Sequence, residues 1–192
     1  IEKGNLEVAE RAVKAGLRLS PDDYELFEAR IKILVLRGKN SEALAVLNTL
    51  GGSLNTFQTI MKSHALMALG IRQEAFELVT GLPPGTKTLP EVQILLAEYA
   101  ATQDNPTVVA ENVKGAARVT KLVDRVRALF PYLAAHEQWR AICDCNRDRP
   151  FRKFEEALIS VYANIKIRNM RGASDIMKLV IGHWPDDMRF IN

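Results

Sequence analysis

The chain has 192 residues, an apolar share of 47% and a net charge of +3, values ordinary for a folded soluble protein of one or two domains. No run approaches the eighteen or more apolar residues of a membrane-spanning helix, and no charged-then-apolar leader opens the sequence. Cys143 and Cys145 are the only cysteines; their C-x-C spacing lacks the second pair or the histidines of a zinc site, and a reducing compartment fits them better than a disulfide framework.

In chain order, residues 5 to 19 read as a helix with Leu6, Ala9, Val13 and Leu17 on one face. Ser20-Pro21-Asp22-Asp23 starts a second helix that runs to about Arg37, proline being tolerated in a first turn and carboxylates favoured there. Gly38-Lys39-Asn40-Ser41 is a tight turn into a helix over 41–50, and Gly51-Gly52-Ser53 breaks the chain. The next pair spans about 54–69 and 72–81. After the loop Leu82-Pro83-Pro84-Gly85, Thr88 and Glu91 have capping-box spacing for a helix over 89–102. Pro106 opens the following helix. Its apolar residues, from Val109 to Phe130, suit either one long helix or a break at Gly115, with 106–115 closing one hairpin and 117–130 and 132–145 forming the next around Pro131. Residues 151–168 and 172–183 make the last pair. No strand-like alternation bounded by hairpin turns intervenes, so the fold class is all-α.

The turn and its sequel recur. Gly4 leads to Ala9, Val13 and Gly16; Gly38 to Ala43, Leu47 and Leu50; Gly70 to Ala75, Val79 and Leu82. Asn105 stands in the glycine's place before Ala110 and Val113, and Ala173, Met177 and Val180 keep the spacing without a glycine. Pro21-Asp22-Asp23 returns as Pro185-Asp186-Asp187, an interval that holds five repeats of about 33 residues. This pattern resembles the tetratricopeptide repeat family, with departures in the first helices, where Ile31, Glu98 and Val161 occupy places that the family gives to small residues. Another helical-pair solenoid and a non-repeating helical domain are the alternatives.

The resemblance implies a right-handed superhelical stack of antiparallel hairpins over residues 1–192, about five repeats plus an N-terminal half-repeat. It implies a single domain, read here as a segment of a longer protein. It also implies that first helices line a concave groove. Carried onto this chain, the groove-facing places are Phe57, Ile60, His64 and Met67, then Val92, Leu95 and Tyr99, then Leu158, Tyr162 and Ile165, with Glu25, Glu28 and Lys32 at a polar end. The lysine-and-asparagine pattern with which some members hold a terminal carboxylate is absent. The implied function is a non-catalytic scaffold or adaptor that binds an extended or helical segment of another protein.

Motifs for phosphate, dinucleotide, metalloprotease or nucleophile-elbow chemistry are missing, and His64, His136 and His183 have no carboxylate at helical ligand spacing. No catalytic residue, cofactor or metal is expected. Charge is uneven, however: residues 114–178 hold 14 Lys/Arg against 7 Asp/Glu. On a continuous helix Lys114, Arg118, Lys121 and Arg125 form one basic stripe, and Arg147, Arg149, Arg152 and Lys153 add a second cluster. The alternative function is therefore binding of nucleic acid or an acidic partner, less favoured because no aromatic residues interleave the cations. A further expectation is self-association through the truncated ends, since the helix at 5–19 offers an apolar face without a preceding helix.

Overall fold

The computed structural model describes residues 3–50, 53–146 and 150–185, and among them every regular element is a helix. Gly51-Gly52, Arg147 and Arg149 of the second basic cluster, and Asp186-Asp187 of the returning Pro-Asp-Asp motif lie outside the described residues. The chain divides into two compact units, residues 1–87 and 88–192.

The first unit contains α1 (Lys3–Leu19), α2 (Tyr24–Leu36), α3 (Asn40–Asn48), α4 (Thr56–Ala68) and α5 (Arg72–Thr80). Two of its helix starts are fixed by side-chain caps, whereas α3 and α5 have none. Asp23, rather than opening the helix behind Pro21, is the N-cap of α2 and accepts from the Leu26 N–H at 3.0 Å. Asn55 caps α4 in a reciprocal box with Gln58, satisfying two N–H groups that a helix start otherwise leaves open. Leu34, Ala43 and Ala65 are buried together where α2, α3 and α4 meet. Ala43 and Ala75 are both fully enclosed, as the sequence pattern requires of a close helix crossing.

The second unit contains α6 (Pro90–Thr102), α7 (Pro106–Ala116), α8 (Val123–Ala128), α9 (Phe130–Ala135), α10 (Trp139–Cys145), α11 (Phe154–Lys166) and α12 (Met170–His183). One core gathers Ile94, Val109, Val113, Phe130, Leu133 and Ile142, and a smaller one holds Phe151, Phe154, Ala157 and Val180. The long-helix alternative is excluded, because a turn and the 3-10 helix Thr120–Leu122 separate α7 from α8. The split also differs from the expected one. Pro131 sits within the first turn of α9 rather than at a hairpin turn, and the helix expected over 132–145 is two helices. Gly115 does not break α7; its missing Cβ makes room for the side chain of Gln93.

One backbone device recurs in both units. Gly38, Gly70, Asp104, Glu137 and Arg168 all have positive φ, between 53° and 81°, at intervals of 32, 34, 33 and 31 residues. In each case the following residue's N–H donates back across the turn, from Lys39 to Leu34, Ile71 to Leu66, Asn105 to Ala100, Gln138 to Leu133 and Asn169 to Asn164, at 2.8–3.0 Å. That bond is the six-to-one closure of a helix C-terminus on a left-handed residue. The same following residue then starts the next helix: its carbonyl accepts from Ala43, Ala75, Val109, Ile142 or Ala173, all buried. Among the described residues, five hairpins with one turn geometry thus follow α1. The third turn is centred on Asp104, one residue before the expected Asn105, so Val109 and not Ala110 is the buried counterpart of Ala43.

Candidate functional site

The first helices of these hairpins carry the side chains expected to face a groove, and the structure sorts them by exposure. On α4, Ile60 and His64 are buried, whereas Phe57 and Met67 are half-buried near the two ends of the helix. On α6, Val92 and Leu95 are interior and Tyr99 is half-buried. On α11, Leu158 is half-buried while Tyr162 and Ile165 are 48% and 44% exposed. Ile60, His64, Val92 and Leu95 therefore lie in the packing layer beneath the surface. Sequence spacing alone does not separate the two layers, because residues three and four apart on a helix share one face.

In the second unit this face is aromatic. Tyr162 meets Trp139 of α10 edge-to-face at 5.3 Å, and Lys166 Nζ lies 5.1 Å from the Tyr162 ring centroid. The contact with the Tyr162 hydroxyl, with Glu137 contributing more weakly, shifts the Lys166 ammonium pKa upward. Beside the Asp104 and Glu137 turns, the Tyr132 and His136 rings meet at 4.4 Å with a 46° tilt, and the Asp104 carboxylate accepts from the Tyr132 hydroxyl at 3.2 Å and lies 3.0 Å from His136 Nε2. Burial first, and the carboxylate second, push the Tyr132 phenol pKa up. Sequence reasoning missed Trp139 and Tyr132; only the left-handed residue at Glu137 reveals their place in the hairpin.

The expected polar end in the first unit is a connected cluster. Glu28 accepts from Asn55 Nδ2 at 3.0 Å, and the Tyr24 hydroxyl accepts from Gln58 Nε2 at 3.0 Å and from Asn55. Glu28 also raises the Tyr24 pKa by accepting its proton in a hydrogen bond. Glu25 and Lys32 are exposed.

The basic stripe is not continuous. Lys114 belongs to α7, Arg118 to the turn after it, Lys121 to the 3-10 helix and Arg125 to α8. Three of the four meet carboxylates about one repeat away: Lys114 pairs with Asp144 at 3.1 Å, Lys121 with Glu91 at 2.8 Å, and Arg125 with both oxygens of Glu98. Arg118 is exposed. In the second cluster Arg152 pairs with Asp124 at 2.6 Å and Lys153 approaches Glu156 at 3.7 Å. Much of the positive charge in this segment is thus opposed locally, between hairpins.

Among the described residues no group of three or more His, Cys, Asp or Glu side chains is arranged to hold a metal ion, and no helix is long and apolar enough to cross a membrane. Comparison with known proteins finds no matching family model, curated protein or solved structure.

Proposed function

We propose that the chain is a non-catalytic scaffold of the tetratricopeptide-like kind, on the plan of a right-handed superhelical repeat. It binds an extended or helical segment of a partner protein on the first-helix faces of its hairpins. The observation that carries this reading is the identical hairpin turn at five places, spaced 31 to 34 residues apart. A repeated hairpin cannot bury its apolar face alone, so neighbours share a core and leave a run of first-helix side chains facing outward. In the second unit that run is Tyr162 and Ile165 beside Trp139, and in the first it is Phe57 and Met67. Aromatic side chains of this kind, half-exposed on a rigid helix, supply contact area at low entropic cost and are the usual anchors of protein interfaces.

A photoreactive phenylalanine analogue placed at Phe57 or Tyr162, and separately at Lys114 or Arg118, tests the reading in the organism's own extract. Protein adducts at 57 and 162 are expected, with few at 114 and 118. Adducts at 114 and 118 that are sensitive to nuclease, with none at 57 or 162, would replace it with nucleic-acid binding.

A further inference from the structure

Counting back from the left-handed residues, Glu156 of α11 takes the place that Leu26, Gln58, Val92 and Arg125 hold in the other hairpins. Three of those four are neutral, and Arg125 pairs with both oxygens of Glu98. Gln58 is buried like Glu156, but its amide is satisfied at both ends. Its Oε1 accepts from the Asn55 N–H at 3.1 Å, and its Nε2 donates to the Tyr24 hydroxyl at 3.0 Å.

Glu156 lacks those partners. It is 7% exposed, and its Oε2 meets no hydrogen-bond donor among the described residues. Its Oε1 lies 3.7 Å from Lys153 Nζ, on a side chain that is itself 69% exposed. The other charged groups that face it, Arg127 and Asp124, come from α8. Arg127 is buried, with Nη1 donating to the Pro150 carbonyl at 2.8 Å and the guanidinium 4.3 Å from the Phe151 ring centroid. Asp124 pairs with Arg152 and repels the Glu156 carboxylate. An ionised carboxylate so placed loses its hydration without recovering it from partners. Burial accordingly raises the Glu156 pKa above 4.5; Lys153 and Arg127 oppose the shift, and Asp124 adds to it.

We infer that Glu156 is a proton-operated latch where residues 150–156 meet α8, holding the hairpin of α11 and α12 more firmly when protonated than when ionised. Its sign follows from the raised pKa: the folded chain keeps the proton at a pH where the unfolded chain has released it. Stability of the second unit therefore rises as pH falls from the folded value towards 4.5, and the gain is complete below 4.5. Glu10 in the first unit responds in the opposite sense, and its contribution is lost only below 4.5. Mild acid thus firms the unit that carries Trp139 and Tyr162 and leaves the ion pairs of Glu10 intact. The latch requires no ligand on the first-helix face.

Trp139 and Trp184 are the two tryptophans of the chain, and both lie in the second unit, so urea denaturation followed by tryptophan fluorescence reads that unit within the full chain. The parent's midpoint is expected to be higher at about pH 5 than at about pH 8. Glu156→Gln should remove that difference and match or exceed the parent at the higher pH, since an amide already fills the corresponding place at Gln58. Lys153→Met, which takes away the nearest cation, should widen the difference by lowering the midpoint at the higher pH. A carboxyl-carbon NMR titration of the folded parent, with the Glu156 signal assigned by its loss in Glu156→Gln, should give a midpoint above 4.5. The inference is overturned if the parent is no more stable at the lower pH, if Glu156→Gln keeps the parent's pH difference, or if the Glu156 carboxyl titrates at or below 4.5.

Discussion

Asp104, Glu137 and Arg168 hold a backbone conformation that suits glycine, with φ of 53°, 57° and 62°. A side chain in that region costs about 1 kcal/mol through the clash of Cβ with the carbonyl. Arg168 is exposed and has no ion pair among the described residues, so it shows the backbone effect most cleanly. Arg168→Gly should raise the stability of the chain by about 1 kcal/mol in urea denaturation. Gly38→Ala should lower it by a similar amount, and an unmoved midpoint in both would mean that these turns are not held in the left-handed form.

Glu10 is a buried carboxylate held by three cations of the first unit. The Lys14 hydrogen bond, with Arg37 and against the effect of burial, holds its pKa near about 2 instead of 4.5. It joins α1 to the turn after α2 through Arg37 and Lys39. Because the folded-state pKa is depressed, the stabilisation is complete above 4.5 and is lost as pH falls from 4.5 through about 2. Glu10→Gln should therefore cost about 1 kcal/mol at pH 7, discounted for the solvent that reaches its partners, with the difference from the parent closing as pH approaches the folded value. Equal pH profiles for the two proteins would contradict this ion pair.

At the scale of elements, each hairpin buries the residue five places after the turn, an alanine in three of the five. Ala43 has no exposed surface where α3 crosses α2 and α4. Ala43→Leu should cost roughly 1–3 kcal/mol by overpacking, measured as a lower denaturation midpoint; an unchanged midpoint would deny the close crossing. The first two complete hairpins are legible in the sequence because glycine marks the turn and alanine the crossing. The third is displaced by one residue because Asp104 and Asn105 are both types that tolerate a left-handed backbone. The fourth is obscured because Glu137 is not a turn-forming residue, while Pro131, which looks like a breaker, fits harmlessly in the first turn of α9. The ion pairs of Lys121 with Glu91 and of Arg125 with Glu98 become visible only once the repeat phase is known, since the partners lie 30 and 27 residues apart. The basic stripe is not formed for the same reason: its cations belong to successive elements, and Lys114, Lys121 and Arg125 face carboxylates of neighbouring hairpins.

For the molecule as a whole, a protein-binding scaffold and a nucleic-acid-binding repeat differ in their response to salt. On the proposed reading, contacts of a partner with Phe57, Tyr99 and Tyr162 would bury apolar surface and be insensitive to screening, whereas a phosphate ligand would release counterions in proportion to the cations it meets. With Lys114, Lys121 and Arg125 already held by carboxylates, recruiting them to phosphate would require breaking those pairs. The decisive measurement is the affinity of the cross-linked partner segment across a salt series, for the parent chain and for Phe57→Ala, Tyr162→Ala and Arg118→Ala. A nearly flat salt dependence is expected, with losses of about 2 kcal/mol or more at Phe57 or Tyr162 where these are anchors, and little change at Arg118. A steep fall with salt, a slope reduced by about one unit in Arg118→Ala, and indifference to both aromatic substitutions would contradict the account.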